Sequence, residues 1–120
     1  MSDLRGIRGA ITVPKNTRED IISSTKTLLR EMVSLNSVRI SDIASVIFSV
    51  TKDLNAEFPA IAARKLGWKE TPLLCTYEVD VKGSLKKCIR VLMHVNSGKE
   101  QSAIKHVYLR DAKKLRPDLG

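Results

Sequence analysis

The sequence predicts an α+β domain, a mixed β-sheet with helices packed on one side, and three observations lead there. The chain has 120 residues, enough for one hydrophobic core and too few for two, so 1–120 is read as a single domain. Its apolar patterns run strand, helix, strand, short helix and then three strands, an order that suits neither a regular βα array nor a bundle. Two helical segments cannot cover both faces of five strands. The uncovered face is therefore expected to meet another subunit.

The first element, "LRGIRGAITV" at 4–13, reads as a strand in which Gly6 and Gly9 admit a close neighbour. A helix follows over 16–35. Asn16 and Glu19 have capping-box spacing, and Ile21, Thr25, Leu28, Leu29, Met32 and Leu35 form one stripe. "SDIASVIFSVT" at 41–51 is β-branched and apolar, hence a second strand. "EFPAIAARKLGW" at 57–68, rich in alanine and stopped by Gly67, is a short helix. "PLLCTYEVDV" at 72–81 and "KKCIRVLMHV" at 86–95 read as a hairpin turned at Lys82, Gly83, Ser84 and Leu85. "IKHVYLRDA" at 104–112 is the last strand, and Pro117 ends regular structure.

Composition narrows function less than fold. Hydrophobic residues make up 42% and charged ones 28%, ordinary for a globular protein, and no tract is of low complexity. The net charge of +8 attracts anions of every kind: nucleic acid, acidic membrane surfaces or a small polyanionic substrate. The start has no apolar leader, and the longest apolar stretch, at 43–50, is too short to span a bilayer. The expectation is a soluble, cytoplasmic protein. Cys75 and Cys88 have neither CxxC spacing nor neighbouring histidines, so both are expected reduced and mostly buried.

Chemistry is sought in polar groups set into apolar strands. Arg90 sits in the middle of "LKKCIRVLMHV", and a guanidinium leaves water only for a partner or a ligand. Strand alternation puts Arg90 with Leu92 and His94, opposite Ile89, Val91, Met93 and Val95. It puts Leu74, Thr76, Glu78 and Asp80 on one side of their strand and Cys75, Tyr77 and Val79 on the other; His106, Tyr108 and Arg110 lie together. One polar group in each of several strands suits a shared site. A cross-strand Glu78–Arg90 ion pair on a solvated face suits the same pattern, and by pattern alone it is the simpler reading. His94 and His106 are too isolated for a metal site. There is no GxSxG, no histidine placed to activate Cys75, and "RGIRGA" is neither GxGxxG nor a P-loop. The five aromatic residues do not alternate with the basic ones as a single-strand nucleic-acid platform requires.

Four separated stretches, "RGIRGAITV", "DLNAEFPAIAAR", "PLLCTYEVDVKGSLKKCIRVLMHV" and "HVYLRDAKKLRPDL", occur with the order and spacing of one family. From Arg5 to Leu119 the chain resembles the monofunctional chorismate mutases of the trimeric, pseudo-α/β-barrel type. The resemblance implies a homotrimer forming a pseudo-α/β barrel with active sites between subunits. It implies rearrangement of chorismate to prephenate on the route to phenylalanine and tyrosine, with no cofactor, no metal and no covalent intermediate.

The same resemblance assigns roles. Arg90 would face the ether oxygen of chorismate, Glu78 would accept a hydrogen bond from the ring hydroxyl, and Arg8 would hold a carboxylate. Cys75 would sit beside that hydroxyl, Tyr108 would contact a carboxylate, and Phe58, Ala60 and Arg64 would line or close the pocket. Leu74, Thr76 and Tyr77 would lie alongside, and Leu115 would belong to the covering C-terminal segment. Ile61 and Leu74 depart from the polar residues that other members can carry there. The alternatives are a trimeric small-molecule binder or imine deaminase of the same fold, whose motifs lack this set of Arg8, Glu78, Arg90 and Tyr108, or a basic nucleic-acid binding module.

Overall fold

A computed structural model describes residues 3–115. Its centre is β4 (Cys88–Ser97), which pairs antiparallel with β1 (Asp3–Thr12) on one side and with β2 (Ile43–Val50) on the other. Outside these, β5 (Val107–Leu109) runs parallel to β1, and β3 (Leu73–Tyr77) runs parallel to β2. The sheet is mixed, in the order β3-β2-β4-β1-β5. The expected hairpin between the third and fourth strands does not form, because β2 lies between them. Local pattern reads a turn but not a partner. Residues 82–85 belong instead to a long link whose return is fixed by Asp53: its carboxylate accepts the Lys87 N–H at 3.0 and 3.1 Å, and Lys87 turns with a φ of 49°.

The alternation read in β4 holds. Ile89, Val91, Met93 and Val95 are buried, while Arg90, Leu92 and His94 are half-buried on the other face. The buried face packs with Ile7, Ile11, Val46 and Phe48 against α1 (Arg18–Leu35) and α2 (Ala60–Lys65). Gly9 is where α1 crosses β1, since a Cβ there would stand 2.5 Å from Met32 Sδ and 3.1 Å from Leu28 Cδ1. Ile21, Thr25, Leu28, Leu29 and Met32 line the inner face of α1, but Leu35 is 42% exposed, so the apolar stripe ends a turn early.

The cap of α1 also differs from expectation. Thr17 Oγ1 accepts from the Asp20 N–H, while Asn16 Oδ1 accepts the N–H groups of Asn55 and Ala56 at 3.0 Å. Asn16 is thus a clamp on the loop before α2. Gly67, at a φ of 90°, stops α2 as the sequence suggested.

The last strand is shorter than predicted. Arg110 adopts a φ of 57° and turns the chain into a 3₁₀ segment, Arg110–Leu115. That rotation takes Arg110 away from His106 and Tyr108: its Nη1 donates to Thr12 O at 2.8 Å and to Ser24 Oγ at 2.9 Å, beside α1. Ala112, with Leu115 and Tyr108, packs on Ala10 and Cys88 across the face that α1 does not cover. Pro117 lies outside the described residues. No described helix is long and apolar enough to cross a membrane.

Candidate active site

Register builds the site on the open face of the sheet. Across from Arg90 stand Ala10 in β1 and Ser49 in β2. Both are small, which leaves room above the sheet for a guanidinium. Glu78 follows β3 directly and extends its pairing by one residue, its N–H donating to Val50 O at 2.9 Å. Its carboxylate therefore hangs over β2 toward Arg90.

Arg90 Nε lies 3.7 Å from Glu78 Oε1, an ion pair too long to be a hydrogen bond. The Ser49 hydroxyl donates to that same Oε1. Among the described residues, Arg90 Nε is buried without a hydrogen-bond partner, although its side chain as a whole is 41% exposed. The simpler reading of the sequence, a self-contained Glu78–Arg90 pair, is thus only half realised. The two charges attract each other, yet the donor is left over.

Arg8 projects from β1 into the same space, and its backbone N–H donates to His106 Nδ1 at 2.9 Å. An imidazole nitrogen that accepts carries no proton, so the neutral form of His106 fits this contact. Tyr108 and Leu115 close the far wall. The cleft so formed measures about 280 Å³ and is lined by Arg8, Ser49, Glu78, Arg90, Tyr108 and Leu115, among others. Two guanidinium groups against one carboxylate give it a positive balance that suits a dianion.

A second hollow of about 310 Å³ lies at the β3 edge, lined by Phe58, Cys75, Thr76 and Tyr77. Phe58 is 66% exposed there, Tyr77 and Leu74 nearly as much. The Cys75 thiol is pushed up by burial, partly offset by a hydrogen bond that its sulfur accepts from the Ala60 backbone. The Cys88 thiol is raised to about 11, again chiefly by burial. Both stay protonated at neutral pH, so neither is a ready nucleophile.

Of the residues singled out in the sequence, the structure brings Arg8, Glu78, Arg90, Tyr108 and Leu115 together in one cleft. It places Phe58, Cys75, Thr76 and Tyr77 in the other. Ala60 and Ile61 are half-buried in α2, Leu74 is exposed on β3, and Arg64 Nη1 donates to the Trp68 and Lys69 carbonyls beyond the end of α2. Ser49, Ile47 and Leu92 also line the first cleft and were not singled out. Period-two alternation in β2 carried the signal, because it sets Ile47 and Ser49 opposite the buried Phe48 and Val50. Among the described residues no cluster of His, Cys, Asp and Glu is placed to hold a metal ion.

The profile of the family described as chorismate mutase type I matches residues 4–119. The chain is similar to chorismate mutase AroH of Bacillus subtilis, 48% identical over 118 residues that cover 98% of this chain and 93% of that protein. It is similar also to chorismate mutase AroH of Thermus thermophilus, 50% identical over 117 residues, 97% of this chain and 96% of that one. Among solved structures, a chorismate mutase from Clostridium thermocellum superposes with a TM-score of 0.90 at 57% identity, covering 91% of this chain and 97% of that chain. Sequence profile, relatives and fold agree over nearly the whole length, and the chain belongs to the type I chorismate mutase family.

Proposed function

We infer that the protein is a chorismate mutase, an isomerase that converts chorismate to prephenate, and that the Arg8–Glu78–Arg90 cleft is where it does so. The reaction is unimolecular: a carbon–oxygen bond breaks, a carbon–carbon bond forms, and no atom enters or leaves. It therefore asks for no nucleophile, which accords with two protonated thiols. Two contributions remain. Arg8 and Tyr108 hold the substrate carboxylates so that the flexible side chain lies over the ring. Arg90 donates to the ether oxygen, which gains negative charge as its bond lengthens, and Glu78 accepts from the ring hydroxyl.

The observation that carries this mechanism is the buried Arg90 Nε–H with no acceptor. A donor aimed at an oxygen that becomes negative favours the transition state over the bound substrate, and one such donor is worth about 3–4 kcal/mol. Arginine serves better than lysine because its fork of donors is rigid and stays protonated.

The active site is completed by a neighbouring subunit in a homotrimer. Phe58 and Tyr77, 66% and 60% exposed, give the second hollow an apolar rim that suits contact with another copy. The cleft of one chain and the β3-edge hollow of the next then enclose one substrate between them. The enzyme works without a cofactor, in the cytoplasm, on the route to phenylalanine and tyrosine. Purified protein mixed with chorismate should abolish its ultraviolet absorbance and release prephenate. An unchanged spectrum at micromolar protein would overturn the assignment of activity.

A further inference from the structure

We propose that Ser49 is a positioning residue that keeps Glu78 off Arg90 and so holds the Arg90 guanidinium ready for substrate; the inference rests on the reading of this cleft as the chorismate site. Three groups share the open face here. Ser49 and Arg90 stand directly opposite each other in the β2–β4 ladder. Glu78 reaches over them from the end of β3, and Ser49 donates to the one carboxylate oxygen, Oε1, that is also nearest to Arg90 Nε.

The geometry is a competition. A carboxylate 3.7 Å from a buried guanidinium nitrogen without another acceptor is strongly drawn to close that gap. In the structure the gap stays open, and the oxygen that would close it is held by the serine hydroxyl. The two charges thus attract each other at a distance, while the directional hydrogen bond of Nε–H remains unspent. Remove the hydroxyl and Glu78 has one donor on hand. A tight Glu78–Arg90 pair would then have to be broken before Arg90 could donate to the ether oxygen, and Glu78 would be turned from the ring hydroxyl.

The cost falls on the transition state more than on binding, because Arg8 and Tyr108 hold the carboxylates independently of Ser49. Ser49→Ala should therefore lower kcat about tenfold with KM within about twofold, the pattern of an interaction realised mainly in the transition state. Ser49→Thr, which keeps the hydroxyl and suits a strand, should return kcat to within about threefold of the original. A role confined to stability would lower Tm and leave kcat alone.

The second readout needs no substrate. In the unliganded protein, the Arg90 Nε–H resonance in nitrogen-edited NMR should shift downfield and exchange more slowly with water in Ser49→Ala, as Nε–H becomes bonded to the carboxylate. It should stay at its original position in Ser49→Thr. An unmoved resonance in Ser49→Ala, an unchanged kcat, or a Ser49→Thr variant that folds but is no better than Ser49→Ala overturns the proposal. If the unsubstituted protein fails to consume chorismate, the functional reading falls instead, and the NMR comparison still decides whether Ser49 holds Glu78 away.

Discussion

Arg90 sets the terms at the scale of single residues. Arg90→Lys replaces a rigid fork by one mobile ammonium, and turnover is expected to fall by at least about two orders of magnitude in a protein that still folds, as steady-state kinetics and circular dichroism will register. Cys75→Ser should leave turnover within about threefold, since burial keeps the thiol protonated and no thiolate is required. A covalent adduct on Cys75 during turnover would contradict this. Much of this residue-scale picture could be read beforehand. Strand alternation assigned Arg90 the face opposite Ile89, Val91 and Met93, and the structure agrees. Ser49 escaped notice because a serine in an apolar run looks neutral. Its meaning depends on Glu78, a partner 29 residues away that only the tertiary fold brings near.

Elements add constraints of packing and charge. Gly9→Ala would press a methyl group into Met32 under α1, and a loss of about 1–3 kcal/mol in urea unfolding is expected. The loss should shrink in a Met32→Val background, where the obstructing thioether is gone. Glu57 ties the loop before α2 to α1: it accepts the Phe58 N–H at 2.9 Å and Arg18 Nε at 2.8 Å. These two bonds hold its carboxyl below the ordinary value of 4.5. A pKa lowered by folding gives stability that is complete above the unfolded value and drains away as pH falls through the folded one. Thermal melts of Glu57→Gln should therefore show a shallower decline than the original protein below pH 4.5 and no such difference in slope near neutrality. The existence of both α-helices and all five strands was legible from period and punctuation, while the 3₁₀ turns were not. Strand partners were not, because a turn-rich stretch such as 82–85 looks the same whether or not its flanking strands pair. The cap was misplaced by one residue for a related reason: Asn16 has the right chemistry for a cap, but the distant loop at Asn55 and Ala56 claims it.

The whole molecule is expected to work as a ring of copies, and that can be tested by mixing defects. Arg90→Ala disables the cleft, and Phe58→Glu puts a repelling anion into the opposite hollow. Each variant alone should be nearly inactive. Refolded together in equal amounts, they should recover about a quarter of the original activity, because that share of random subunit junctions joins an intact cleft to an intact hollow. No recovery would mean that one chain supplies both halves. The surplus of sheet over helix is the part of that expectation the sequence carries by pattern, whereas the separation of the Arg90 cleft from the β3-edge hollow is visible only in three dimensions. The position of β1 carries one more consequence, for how the protein is born. Its hydrogen-bonding neighbours are β4 and β5, whose nearest partners to Asp3 and Gly9 are Ser97 and Val107. At synthesis rates of about 5–20 residues per second, the strand bearing Arg8 leaves the ribosome on the order of ten seconds before anything exists for it to pair with. During that interval its backbone amides are unclaimed, and the strand is open to mispairing with other chains.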